Sequence, residues 1–148
     1  MKTAIDRRHV LHAGIAAGVS LITPQAKACE FFSQNLRIIH PWSRATGEDS
    51  TSVAVCMTFD NVMATDRLIG AESPVCTSAE MGGDGAKPFV DFLIPEGQTS
   101  VLSETGIHLR LVGLQFALPT GRQYPLTLIF KNAGSVSAKL SIDYKRFG

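Results

Sequence analysis

The sequence contains little charge, and neither sign predominates. Only 18% of its 148 residues are charged, with 14 Lys and Arg against 13 Asp and Glu, and no basic run occurs. Proteins that bind nucleic acid usually carry clustered Lys and Arg, because phosphate contacts supply much of their affinity. The composition therefore argues against nucleic acid as a partner.

No apolar run is long enough for a transmembrane helix. The stretch from Ala13 to Ile22 has ten residues, whereas a helix that spans a bilayer needs about 20. It follows a positively charged start that includes Lys2, and it precedes Ala26-Lys27-Ala28, a small-x-small cleavage pattern. This order predicts a signal peptide over residues 1–28 that is removed on export, leaving one domain at 29–148.

The charged part of this segment leaves the export route open. The heptapeptide from Asp6 to His12 contains Arg7-Arg8 and resembles a twin-arginine signal. Asp6 and Val10 depart from the residues usual at those positions. A general secretory signal that happens to contain two arginines is the alternative.

Cysteine is scarce, at three residues: Cys29, Cys56 and Cys76. An odd number in an exported protein leaves at least one thiol unpaired, and Cys56 with Cys76 is the candidate disulfide. Cleavage after residue 28 would make Cys29 the first residue of the domain, where lipoproteins carry their lipid anchor. Lys27 fits poorly before a lipidated cysteine, so we do not expect lipidation.

Helical patterning is absent after residue 28, and apolar residues instead recur with period two. The clearest alternation runs through Val53–Phe59 and through a C-terminal pair, Leu126–Lys131 and Val136–Lys145, with a turn at Asn132–Gly134 between them. Such alternation is typical of half-buried strands joined as a hairpin. Shorter candidates are Arg67–Ala71, Phe89–Ile94 and Ile107–Val112. The pattern predicts an all-β sandwich or barrel of antiparallel strands.

A catalytic constellation is also missing. The domain has two histidines, His40 and His108; neither lies in a nucleophile motif, and the carboxylates are scattered in sequence. We therefore expect a protein that is not an enzyme, and we interpret His40 as structural.

Several segments, in order, resemble the periplasmic copper chaperones called PCuAC. The resemblance implies a cupredoxin-like, Greek-key β-sandwich that carries Cu(I), with cytochrome oxidase assembly as the usual destination. It also implies a periplasmic or membrane-anchored assembly factor that accepts the copper. The segments are His40–Thr46, Val53–Asn61, Asp66–Pro74, Ile94–Gly97, Gly106–Leu114 and Pro125–Phe130.

The family's metal site is only partly present. Its pattern has a His and a Met after the Ser-Pro segment, a later Met, and a His-x-Met pair, all soft donors that suit Cu(I). His108 matches the His of the pair, but Arg110 replaces its Met, Gly82 stands at the usual position of the first His, and Met81 lies one residue early. The resemblance therefore leaves His108 and Met81 as predicted metal ligands, with the Cys76 thiolate as a further candidate.

Two functions remain open from the sequence. One is a copper carrier that handles Cu(I) through His108, with help from Met81 or Cys76. The other is an interaction domain without metal, because Arg110 has no lone pair to donate and its charge repels a bound cation.

Overall fold

The computed structural model describes residues 29–144, and the predicted signal peptide lies outside them. Within this range, no helix is both long and apolar enough to cross a membrane. The described chain forms strands and a single 3-10 turn, Gly83–Gly85. The strands are β1 Glu30–Phe32, β2 Arg37–Arg44, β3 Ser52–Asp60, β4 Asp66–Glu72, β5 Ser78–Gly82, β6 Phe92–Ile94, β7 Ser100–Leu102, β8 His108–Val112, β9 Gln123–Phe130 and β10 Gly134–Tyr144.

The strands form one curled sheet in the order β5-β8-β3-β2-β10-β9-β4-β6, with β1 paired to β2 and β7 paired to β3. Every described pairing is antiparallel except that of β10 with β2, which is parallel. This parallel pair lies in the middle of the strand order and joins an early strand of the described chain to its last strand. The antiparallel prediction therefore fails at one strand pair.

Alternation along the strands separates a buried face from an exposed one. On β3, Val55, Met57 and Phe59 point inward and are at most 2% exposed. The Phe59 ring meets Phe130 edge-on at 6.1 Å and lies 6.1 Å from Phe92. Such aromatic contacts and the packed aliphatic residues around them supply most of the stabilisation of a small sandwich.

The predicted C-terminal hairpin is present, and a buried carboxylate fixes its turn. Asp66, 1% exposed, accepts hydrogen bonds on Oδ1 from the backbone N–H groups of Arg67 and Asn132, both at 2.8 Å. Its Oδ2 accepts from the Ala133 N–H at 3.0 Å. Asp66 thus ties the turn between β9 and β10 to the start of β4.

The predicted strand at Phe89–Ile94 is shorter in the structure. Only Phe92–Ile94 pairs, because the ladder with β4 extends just from Leu68 to Asp66. Phe89 is 55% exposed and lies before the ladder.

All three described cysteines are free thiols, so the candidate disulfide between Cys56 and Cys76 is not formed. Burial raises the pKa of the Cys56 thiol to about 11 and also raises the pKa of Cys76. Both sulfurs are therefore protonated at neutral pH, which lowers their reactivity.

Candidate metal site

The antiparallel pair of β5 and β8 brings the predicted site residues together. Its register places Gly82 opposite His108 and Glu80 opposite Arg110. Because side chains alternate between faces, His108, Arg110 and Glu80 share the outer face of this pair. The position that the sequence assigned to the family's first His therefore does lie beside His108.

The His108 ring occupies the space that a side chain at residue 82 would need. A Cβ on Gly82 would come within 2.5 Å of His108 Nε2. The neighbouring Gly83 has φ +78°, and a Cβ there would lie 1.9 Å from the Gly106 carbonyl oxygen and 3.2 Å from His108 Cε1. The glycine pair is thus required for the imidazole to pack in this place.

The packed imidazole has one unsatisfied polar atom. Among the described residues, His108 Nδ1 is the buried side-chain nitrogen or oxygen that has no hydrogen-bond partner. Leaving such an atom unpaired costs about 1–3 kcal/mol. Its presence marks a position where a ligand would relieve that cost.

Arg110 occupies the remainder of this outer face. Its Nη1 lies 3.2 Å from Glu80 Oε2, and its Nη2 donates to Ser52 Oγ at 3.2 Å. The guanidinium has five donor hydrogens and no acceptor, so it contributes nothing to a metal's coordination. Glu80 offers carboxylate oxygens, which are hard donors that Cu(I) binds less well than sulfur or imidazole.

Met81 lies on the opposite face from His108. It pairs with Leu109, is 1% exposed and packs in the hydrophobic core. β5 runs without a bulge through Gly82, so the one-residue offset seen in the sequence turns the thioether inward. The structure therefore places the two predicted ligands on adjacent strands but separates their donor atoms.

Cys76 does not complete the site either. Its thiol lies 3.8 Å from the Ser73 carbonyl oxygen, in the turn between β4 and β5. Across residues 29–144, no three side chains of the His, Cys, Asp and Glu types gather as a metal-binding group. This region of β5 and β8 can offer one imidazole and a nearby carboxylate.

His40, interpreted from the sequence as structural, has a partner far along the chain. Its Nε2 contacts Asp143 Oδ2, although 103 residues separate the two in sequence. No local sequence pattern signals this pair, because it depends on the parallel pairing of β2 with β10.

Comparisons with known proteins agree on one family. The family model named LpqE-like, which describes lipoproteins, matches residues 36–142. The copper-bound PCuAC domain from PmoF2 is 27% identical with a TM-score of 0.71, and the match covers 78% of this chain and 97% of that chain. The apo PCuAC domain from PmoF1 is 25% identical with a TM-score of 0.70, covering 78% of this chain and 98% of that one.

A more distant solved structure, apo-DR1885 from Deinococcus radiodurans, is 23% identical with a TM-score of 0.60. The match covers 88% of this chain and 95% of that one, and it concerns the fold alone. The search of curated proteins gives no significant match. The structural matches confirm the predicted cupredoxin-like β-sandwich and the resemblance to PCuAC domains.

Proposed function

Since the chain belongs to the LpqE-like family, whose solved relatives are PCuAC domains, we propose that it is an exported protein that carries Cu(I). One of those relatives is a copper-bound domain. The observation that carries the proposal is the buried Nδ1 of His108, which lacks a partner at the position of the family's His-x-Met pair. The role is that of a carrier and not an enzyme.

His108 supplies one donor, and its neighbours supply none of comparable softness. Gly82 has no side chain, and Met81 points into the core. A second soft donor then comes from the protein that receives the copper, so the metal is shared during transfer. We propose an assembly factor of the exported compartment, such as one serving cytochrome oxidase, as that acceptor.

A competitive titration with Cu(I) against a coloured chelator tests this function. The protein is expressed from the full chain and kept reduced; His108→Ala is compared with Cys76→Ser, which removes a different candidate donor. We expect His108→Ala to abolish one bound equivalent and Cys76→Ser to leave it unchanged. The proposal fails if His108→Ala leaves both the number and the affinity of the bound copper ions unchanged.

The proposed export is tested on the same material. Mass spectrometry of protein recovered from the periplasmic fraction should show a chain that begins at Cys29, without a lipid. An uncleaved chain confined to the cytoplasm contradicts the proposed signal peptide at 1–28.

The ion pair between Arg110 and Glu80 favours a second candidate, an interaction domain that kept the fold and lost the metal. The pair places a fixed cation where the family has a sulfur donor. A pull-down from periplasmic extract with and without copper separates the two functions. A partner retained equally in both conditions supports the interaction domain, and retention that needs copper supports the carrier.

A further inference from the structure

We propose that a cavity between β2, β3 and β7 binds a small, uncharged ring compound that carries a hydroxyl group. The cavity has a volume of about 390 Å³, whereas a cavity of about 150 Å³ is enough to hold benzene. The residues that line it include Ile39, Trp42, Cys56, Thr58, Val101 and Glu104. Small molecules usually bind in such concave sites, where apolar walls are combined with a few polar groups. The proposal is independent of His108 and of copper.

A bulge in β2 forms one side of the cavity. The register between β2 and β3 shifts between Ile39 and Trp42, so β2 has one residue more than its partner strand at this point. His40 lies within the bulge and adopts φ +50°, which is costly for a residue other than glycine. Ile39, His40 and Trp42 all line the cavity. Because bulges and left-handed residues are common beside functional sites, this irregularity favours a binding role for the cavity.

The turn after β7 forms the opposite side. The Ser103 N–H donates to the Ile107 carbonyl oxygen at 2.9 Å, and the Gly106 N–H donates to the Ser103 carbonyl oxygen at 3.3 Å. The turn carries Glu104 to Arg44, whose Nε donates to Glu104 Oε2 at 2.7 Å and whose Nη2 donates to Oε1 at 3.2 Å. Such a bidentate pair fixes the geometry of both side chains. This side of the cavity is therefore in place before a ligand arrives.

The charges at the cavity select an uncharged ligand. Glu104 is neutralised by Arg44, and the His40 imidazole contacts the Asp143 carboxylate. The Cys56 thiol is also uncharged at neutral pH, because burial raises its pKa to about 11. An ion that entered the cavity would lose water without gaining a counter-charge, which is unfavourable.

The walls of the cavity select a ring that carries a hydroxyl group. Trp42 is aromatic, and a second ring packs favourably against an aromatic side chain. Val101 is 55% exposed, so a ligand that covers it removes apolar surface from water. Thr58 and Ser103 also line the cavity, and their hydroxyl groups can donate to or accept from a hydroxyl group on the ligand.

Titration of the full chain with benzyl alcohol, benzoate and benzylammonium tests the proposal, because the three compounds share one ring and differ in charge. Trp42 is the single tryptophan of the sequence, so tryptophan fluorescence reports on the wall of this cavity. We expect a saturable change in emission with benzyl alcohol at millimolar concentration, and binding of both ions that is weaker by about tenfold or more. A change that does not saturate, or an equal response to all three compounds, overturns the proposal.

Two matched variants test the location of the site. Val101→Asp places a charge at the rim and should weaken the binding of benzyl alcohol by about tenfold, because the carboxylate loses water when the ring covers it. Leu93→Asp introduces the same charge on β6 at a position that is 47% exposed, and it should leave binding unchanged. An equal effect of the two variants contradicts the proposed site.

Arg44→Gln tests the argument from charge. The variant leaves the Glu104 carboxylate without the guanidinium, so benzylammonium should bind about tenfold more tightly than it binds to wild type, while benzoate should still bind weakly. Unchanged binding of benzylammonium would overturn the assignment of Glu104 to the ligand's surroundings and with it the proposed site. His108→Ala should bind benzyl alcohol as wild type does, so the results of this test and of the copper titration are independent.

Discussion

Replacing Arg110 by Met should restore much of the Cu(I) affinity that the family's His-x-Met pair provides. Residues 108 and 110 lie two positions apart on β8, which separates them by about 7 Å. Two unit charges at that distance repel by about 2 kcal/mol at an effective dielectric of 20. Glu80, 3.2 Å from the guanidinium, offsets part of this repulsion, and Arg110 is 45% exposed, so solvent screens part of the rest.

Removal of the charge alone should therefore improve affinity about tenfold, which corresponds to about 1.4 kcal/mol. The Met thioether then adds a soft donor on the same face as the imidazole, and we expect at least a further tenfold gain. Arg110→Leu removes the charge without adding sulfur, and Arg110→Lys retains the charge. Stability should change by less than about 0.5 kcal/mol in all three variants, because residue 110 is exposed.

The assay is competition for Cu(I) against chelators of graded affinity, with His108→Ala as the control that removes the site. The expected order of affinity is Met above Leu above Lys, with Lys equal to wild type. Equal affinity of the Met and Lys variants would falsify the reasoning, since neither charge nor sulfur would then matter at this position.

Three further predictions concern stability. Asp66→Ala removes the acceptor for three backbone N–H groups and should lower the free energy of unfolding in urea by about 3 kcal/mol, whereas Asp84→Ala, at an exposed position, should change it by less than about 0.5 kcal/mol. Gly83→Ala should lower the free energy of unfolding by more than Gly97→Ala, for which we expect a loss of about 1 kcal/mol. Both glycines have positive φ, but only at Gly83 would the new Cβ meet the backbone, 1.9 Å from a carbonyl oxygen. Stability should fall as the pH rises from about 9 to 11, and it should fall less in Cys56→Ala than in wild type, because the unfolded Cys56 thiol ionises from about pH 9 and the folded one only near 11. An equal loss of unfolding free energy in the two glycine variants would contradict the argument from the backbone contact. An equal dependence of stability on pH in Cys56→Ala and wild type would contradict the argument from the Cys56 thiol.

The sequence predicted those strands in which alternation is long and uninterrupted. β3 and the hairpin of β9 and β10 carry at least three inward apolar residues each, so period two is unmistakable. β7 has three residues, and β5 has five and ends at Gly82, so neither contains enough alternation to be recognised. The parallel pairing of β2 with β10 depends on contacts between opposite ends of the chain, which no local pattern records.

The site was predictable to the extent that strand parity could be read from the sequence. Counting from the Ser-Pro segment placed Gly82 at the first ligand position, and its pairing with His108 agrees with that count. The same parity places Met81 on the other face, and only the absence of a bulge in β5 decides that it stays there. The contact between His40 and Asp143 lay beyond sequence reasoning, because it joins two bulges that form only in the assembled sheet.

The His108 ring can pack where it does only because residue 82 has no side chain. A Cβ at residue 82 would lie 2.5 Å from His108 Nε2, so any larger residue must displace the imidazole, and it would lie in contact with Arg110 Cδ at 3.4 Å. Gly82→His alone should therefore restore little copper binding, because the new imidazole competes with His108 for one volume. Only together with Arg110→Met, which replaces the guanidinium by a flexible thioether, does the outer face of β5 and β8 gain room for two imidazoles. Until then tight binding of Cu(I) at this face requires a further donor from an accepting protein.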